Sequence, residues 1–206
     1  MSRKPTPGAA RPVGTHFDGD LRRALLDAAI ASITEHGADH LSLRDVARRL
    51  GVSHAAPAHH FGDKSGLLTE IATEGFTLFT AHLAAVADGG EDPAAELAAL
   101  GRAYAEFAER YPAHFDVMFR PALIRTSDPA FGPASAAAFE ALGGRIAGFQ
   151  ARGWRAREDT AALTVAAWAL AHGIAVLRAQ GSVARHYDDS SLDGVVAIAN
   201  ALLDPD

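Results

Sequence analysis

The side chains best suited to chemistry crowd one stretch of the sequence. Between residues 42 and 64 stand Ser42, Arg44, Arg48, Arg49, Ser53, His54, His59, His60 and Lys64. Their hydroxyl, guanidinium, imidazole and ammonium groups can hydrogen-bond base edges or neutralise phosphate, and Ala55 and Ala56 offer methyl groups to a thymine. The same inventory is poor for catalysis. The chain has no G-x-S-x-G, no H-E-x-x-H and no glycine loop that cradles phosphate. It has no cysteine, which excludes thiolate nucleophiles, thiolate metal sites and disulfides. Asp188-Asp189 reads as loop and helix-cap chemistry rather than as an acid–base pair. His59 and His60 are neighbours, and adjacent residues on a helix diverge by about 100°, so they do not share an ion. No enzyme activity, metal or cofactor is expected.

Charge narrows where a polyanion could bind. The net charge is -6 over 206 residues. Residues 1–65 hold nine Lys/Arg against seven Asp/Glu, while the rest hold ten against eighteen. Only the front third can comfortably face phosphate, and His36, His40, His54, His59 and His60 add positive charge below about pH 6.5. The first nineteen residues contain Pro5, Pro7, Gly8, Pro12, Gly14 and Gly19 and no apolar core for a signal peptide. With no cysteine in the chain, a cytoplasmic location is expected. Residues 160–177 carry no formal charge, but they are largely alanine and are interrupted by Thr164, Trp168 and His172. A buried helix of a soluble protein is expected there, not a membrane span.

The elements that must position these groups read as helices throughout, since alternating β-branched runs are absent and alanine dominates. The expected class is all-α. A first helix starts at Asp20 and stops at Gly37, with Leu21, Ala24, Leu25, Ala28 and Ile33 on one face. Ser42 caps a short second helix, with Asp45 three residues on, and Gly51 ends it. Val46, Ala47 and Leu50 are spaced to pack inward. Ser53 caps a brief third segment over 54–60, and a long helix runs over 64–87. The Asp88-Gly89-Gly90-Glu91-Asp92-Pro93 stretch marks a boundary. Further helices are expected near 93–110, 113–124, 130–151, 158–180 and 190–203.

Two short helices joined by a glycine turn behind a capped first helix form a helix-turn-helix unit. The string Leu43-Arg44-Asp45-Val46-Ala47-Arg48-Arg49-Leu50-Gly51-Val52-Ser53, followed by His59-His60-Phe61, Asp63-Lys64 and Leu67-Leu68, closely resembles the DNA-binding domain of the tetracycline-repressor (TetR) family of transcriptional regulators. The resemblance covers roughly residues 20–68. It implies a three-helix head over 20–66 preceded by a disordered arm over 1–19. Arg3, Lys4 and Arg11 in that arm either reach a minor groove or belong to an inert tail. The expected DNA-facing set is Ser42, Arg44, Ser53, His54, Ala55, Pro57, His59 and Lys64. Lys64 matches the lysine that contacts the DNA backbone in similar proteins, and Ala58 stands where the family usually has a tyrosine. His60 and Phe61 are expected to lock the third helix against the first.

The same resemblance implies that residues 67–206 form a helical effector-binding and dimerising domain. Trp168-Ala169-Leu170-Ala171-His172-Gly173 resembles the tryptophan and histidine-glycine signature of one subgroup. Trp168 and His172 lie four apart, on one helical face. With Phe107, Tyr111, Phe115, Met118, Phe119 and Phe139 they make the expected wall of a pocket for a small lipophilic or aromatic effector. The 160–177 helix and the terminal helix offer more apolar surface than one copy can cover, so a homodimer through a four-helix bundle is expected. The resulting function is that of a ligand-responsive regulator, a repressor released from a palindromic double-stranded operator by its effector. The alternative is a helical protein that sequesters a ligand and has weakened DNA recognition.

Overall fold

Leu25, Leu26, Ala29 and Ile33 fall on one face at helical spacing, and all four are buried in a computed structural model of the chain. The structure describes residues 17–87, 92–183, 185, 186 and 195. Among them the regular structure is entirely helical. The helices are α1 (Phe17–His36), α2 (Leu43–Leu50), α3 (Ala56–Phe61), α4 (Lys64–Ala84), α5 (Pro93–Arg110), α6 (Pro112–Met118), α7 (Phe131–Ala151) and α8 (Thr160–Ala179), with a 3-10 turn over Ala38–His40 after α1. The expected terminal helix, the basic arm residues and Asp188-Asp189 lie outside the described residues.

The start of α1 differs from expectation, since Asp20 sits inside the helix rather than capping it. The second helix forms as its residues dictate. Ser42 Oγ accepts the Asp45 N–H at 3.4 Å, and Gly51 closes the helix in the left-handed region at φ 66°, a conformation that costs a residue with a Cβ. Val46 and Ala47 are fully buried, but Leu50 is 37% exposed. Leu50 is the last residue of its helix and rotates past the edge of the core. Asp92 Oδ1 accepts the Ala94 N–H at 2.9 Å ahead of Pro93, and Asp159 caps α8 through the Ala162 N–H at 2.8 Å.

Helix α4 organises the molecule. It packs on α1 and α3 at its start and on α5, α6 and α7 further along. Its face of Leu67, Leu68, Ile71, Ala72, Phe76, Phe79 and Leu83 is buried. Gly75 lets α6 approach closely, because a Cβ there would stand 2.7 Å from Met118 Sδ. The expected helix over 113–124 is shorter and ends at Met118, ahead of Pro121, whose ring cannot continue it. The buried core runs without a break from α1 to α8, so the expected division after residue 66 falls inside a shared core rather than at a gap.

Candidate DNA interface and effector cavity

Helix α3 is held at the front of the molecule from below. Phe61 and Pro57 point inward and are buried. The Arg22 guanidinium of α1 sits 4.8 Å over the Phe61 ring, donates to the His60 carbonyl at 2.6 Å and pairs with Glu70 of α4. The third helix is thereby locked on the first, as expected. Arg22 was not singled out from the sequence, where nothing separates it from other surface arginines.

That anchoring leaves Arg44, Ser53, His54, Ala55, Ala58 and His59 exposed, with Ser42 and Lys64 half-buried beside them. Two expectations change. Pro57 is less than 2% exposed, so it is a packing residue and not a DNA contact; its ring faces the core at the helix start. Ser53 does not cap the helix. Its Oγ accepts the Ala55 N–H at 3.3 Å, its carbonyl accepts the Ala56 N–H at 2.9 Å, and the resulting turn places the N-cap at Ala55 without a side-chain bond. Lys64 Nζ donates to the Asp39 carbonyl at 2.8 Å, which ties its ammonium to the 3-10 turn. Arg48 pairs with Asp45 and Arg49 with Glu35. For Arg44 no ion pair occurs among the described residues. Neither does any group of three His, Asp or Glu placed to hold a metal. His59 and His60 meet edge to face at 5.4 Å.

A cavity of about 180 Å³ opens behind the head. Helix α4 supplies Phe76, Phe79 and Leu83; α5 supplies Leu97, Leu100 and Tyr104; and Phe119 closes one end. The far walls are Ala138, Phe139 and Leu142 of α7 and Ala167, Trp168 and Ala171 of α8. Of the expected wall, Phe119, Phe139 and Trp168 line this cavity. Phe107, Tyr111, Phe115, Met118 and His172 are not lining residues. Phe107 is fully buried and packs on Phe79 and Tyr111, each ring 5.0 Å away. Met118 fills the gap over Gly75. Phe115 supports Phe119 and His172 from behind.

The residue that sequence reasoning missed is Tyr104, one turn before Phe107 on the same helical face. Trp168 Nε1 donates to its hydroxyl oxygen at 3.2 Å, and that hydroxyl meets His172 Nδ1 at 2.9 Å. Trp168 can only donate, so Tyr104 Oη accepts from it; the Tyr104 hydroxyl gives its own proton to His172 Nδ1 when the imidazole is protonated at Nε2. His172 thus bonds a side chain, not a backbone carbonyl. Burial lowers its pKa, and burial pushes the Tyr104 phenol up despite the Trp168 hydrogen bond.

Cavity and head are joined by polar contacts. Directly after Phe119, Arg120 reaches both carboxylate oxygens of Asp39 at 2.7 Å and Asp116 at 3.2 Å. Asp116 accepts the Ala38 N–H at 2.9 Å. Arg125 pairs with Asp63 at 2.7 Å. Glu74 of α4 links Arg23 of α1 to His114 of α6. Burial of Glu74 opposes its ionisation, but those two hydrogen bonds outweigh it and lower its pKa.

With this geometry in place, comparison with known proteins is decisive. The description "Bacterial regulatory proteins, tetR family" matches residues 25–71, and "Tetracyclin repressor-like, C-terminal domain" matches residues 97–198. The chain belongs to the TetR family. A solved structure of a protein of unknown function from Rhodococcus sp. RHA1 is 34% identical with a TM-score of 0.75, covering 94% of this chain and 96% of that one. The HTH-type transcriptional regulator BetI of Agrobacterium fabrum is 47% identical over 49 residues, 24% of each chain. The match therefore spans about a quarter of the length of such curated relatives. A TetR variant from Acinetobacter baumannii AYE, solved in complex with minocycline, shares the fold at 21% identity and a TM-score of 0.59, covering 87% of this chain and 94% of that one.

Proposed function

We propose that this TetR-family protein is a cytoplasmic homodimeric transcriptional regulator that binds a palindromic double-stranded operator. As a repressor, it is released when a small lipophilic or aromatic effector fills the cavity. It acts by binding, not catalysis. The observation that carries this reading is the continuity of α4, whose start buttresses the exposed α3 and whose far half walls the cavity. An occupant that shifts α4 alters the spacing of two reading heads in a dimer. Trp168 and His172-Gly173 support placing the rear half in the subgroup with that signature.

Helix α8 supports the dimer. It is apolar and long enough to cross a membrane by length and composition. Yet it packs on α5 and α7 of the same chain. Only Leu163, Thr164, Ala167 and Ala175 are buried, while Val165 and Leu177 stand 49% and 50% exposed. A second copy is the natural cover for such a face.

A gel-shift titration with DNA from upstream of the gene, at moderate salt, tests the function. A sequence-selective shift of the ligand-free protein is expected, and its absence overturns the reading. Lys64→Ala should weaken binding to all sequences alike and flatten the salt dependence, whereas His54→Ala should change base preference. The thin chemistry of α3, with Ala58 exposed where a tyrosine is usual, favours a second reading in which the protein only sequesters its ligand. Ligand binding without any selective shift would select it.

A further inference from the structure

The cavity wall bears on the chemistry of its occupant, taking the cavity as the effector site. Among the described residues, Tyr104, Ser135 and Trp168 are its only polar side chains and no charged residue lines it. Each of the three is already paired. Trp168 N–H goes to Tyr104, Ser135 O–H goes to the Gly132 carbonyl at 3.0 Å, and the Tyr104 hydroxyl is bonded to His172 Nδ1.

The backbone offers nothing more. Within a helix, N–H groups lack an intrahelical partner only in the first turn, and each wall helix meets the cavity beyond it, while Phe119, just past the end of α6, gives its N–H to the Val117 carbonyl. Helix α5 begins at Pro93 and its wall residues at Leu97; α7 begins at Phe131 and its wall at Ser135; α8 begins at Thr160 and its wall at Ala167. An anionic group in this space would find no donor, and buried ions without partners are strongly disfavoured.

A cation fares no better. No carboxylate among the described residues lines the space, so a buried ammonium would lack a counter-ion. Arg145 lines a neighbouring cavity that shares Leu83, Leu100 and Leu142. Its guanidinium pairs with buried Glu96 at 3.1 Å and donates to the Val86 carbonyl at 2.6 Å.

We infer that the effector is an uncharged, compact molecule that presents hydrocarbon over nearly all of its surface, selected by a wall whose hydrogen-bonding capacity is satisfied internally. Three probes of matched chain, 1-octanol, octanoate and octyltrimethylammonium, separate the possibilities at pH 7.5 by tryptophan fluorescence and equilibrium dialysis. Octanol is expected to bind at least about tenfold more tightly than either ion. Ala171→Phe, which fills the cavity from α8, should abolish that binding while the protein remains folded in a thermal melt. If that variant does not fold, Leu142→Trp at the half-buried rim serves the same purpose. An ion that binds as tightly as octanol and is blocked by the filled cavity overturns the inference but leaves the effector site standing. Binding of none of the three, or binding that survives the filled cavity, overturns the effector site itself and the inference with it.

Discussion

At the scale of single residues, rotation about a helix axis decides role. Phe107 and Phe139 are both phenylalanines on rear-half helices, yet Phe107 is fully buried and Phe139 is 39% exposed at the cavity edge. Phe107→Ala should therefore cost about 3–5 kcal/mol of stability, whereas Phe139→Ala should leave the melting temperature nearly unchanged and weaken probe binding; denaturant titration and dialysis distinguish them. His172 makes a separate prediction. Burial lowers its pKa, so the unfolded chain takes up this proton near pH 6.5 and the folded chain only at lower pH. Its contribution to stability is complete above pH 6.5 and declines as the pH falls below it. His172→Asn should reduce that decline in a series of thermal melts across pH 5 to 8.

Helices and their junctions carry the coupling. The end of α6 supplies both a cavity wall, Phe119, and a grip on the head, Arg120, one residue later. The Arg120 guanidinium lowers the pKa of the Asp39 carboxyl, and Asp116 takes the Ala38 N–H beside it. Both partners are solvent-accessible, so the pair contributes little to stability. Its expected importance lies in transmission. Arg120→Ala should leave folding and octanol affinity nearly unaltered but shrink the effect of octanol on operator affinity, which an ordinary allosteric coupling of roughly 1–3 kcal/mol would set at about 5–150-fold. Gel shifts with and without the probe measure it. An unchanged ratio would show that α4 transmits alone.

For the whole molecule, the distribution of charge and of apolar surface sets orientation and assembly. The acidic rear two-thirds is repelled by DNA, which leaves the balanced front third to face it. The exposed apolar strip of α8 favours pairing, and pairing lets two weak half-site contacts act together. The double variant Val165→Glu with Leu177→Glu should sediment as a monomer. It should also lose at least about a hundredfold in operator affinity, although neither residue lies near α3.

The amino-acid order alone settled the helical class, most helix boundaries and the helix-turn-helix, because caps such as Ser42 and Asp92, stops such as Gly51 and apolar periodicity act within a few residues of one another. It also named Phe119, Phe139 and Trp168, which line the cavity, on the same grounds as other aromatic residues that do not. It could not place Tyr104 in the wall, withdraw Phe107, Tyr111, Phe115, Met118 and His172 from it, or turn Pro57 inward. Those outcomes depend on how each helix rotates and at what depth it crosses its neighbours. That rotation is set by contacts between residues far apart in sequence, as where Gly75 admits Met118 or Arg120 reaches Asp39, and only the assembled tertiary structure brings such pairs together.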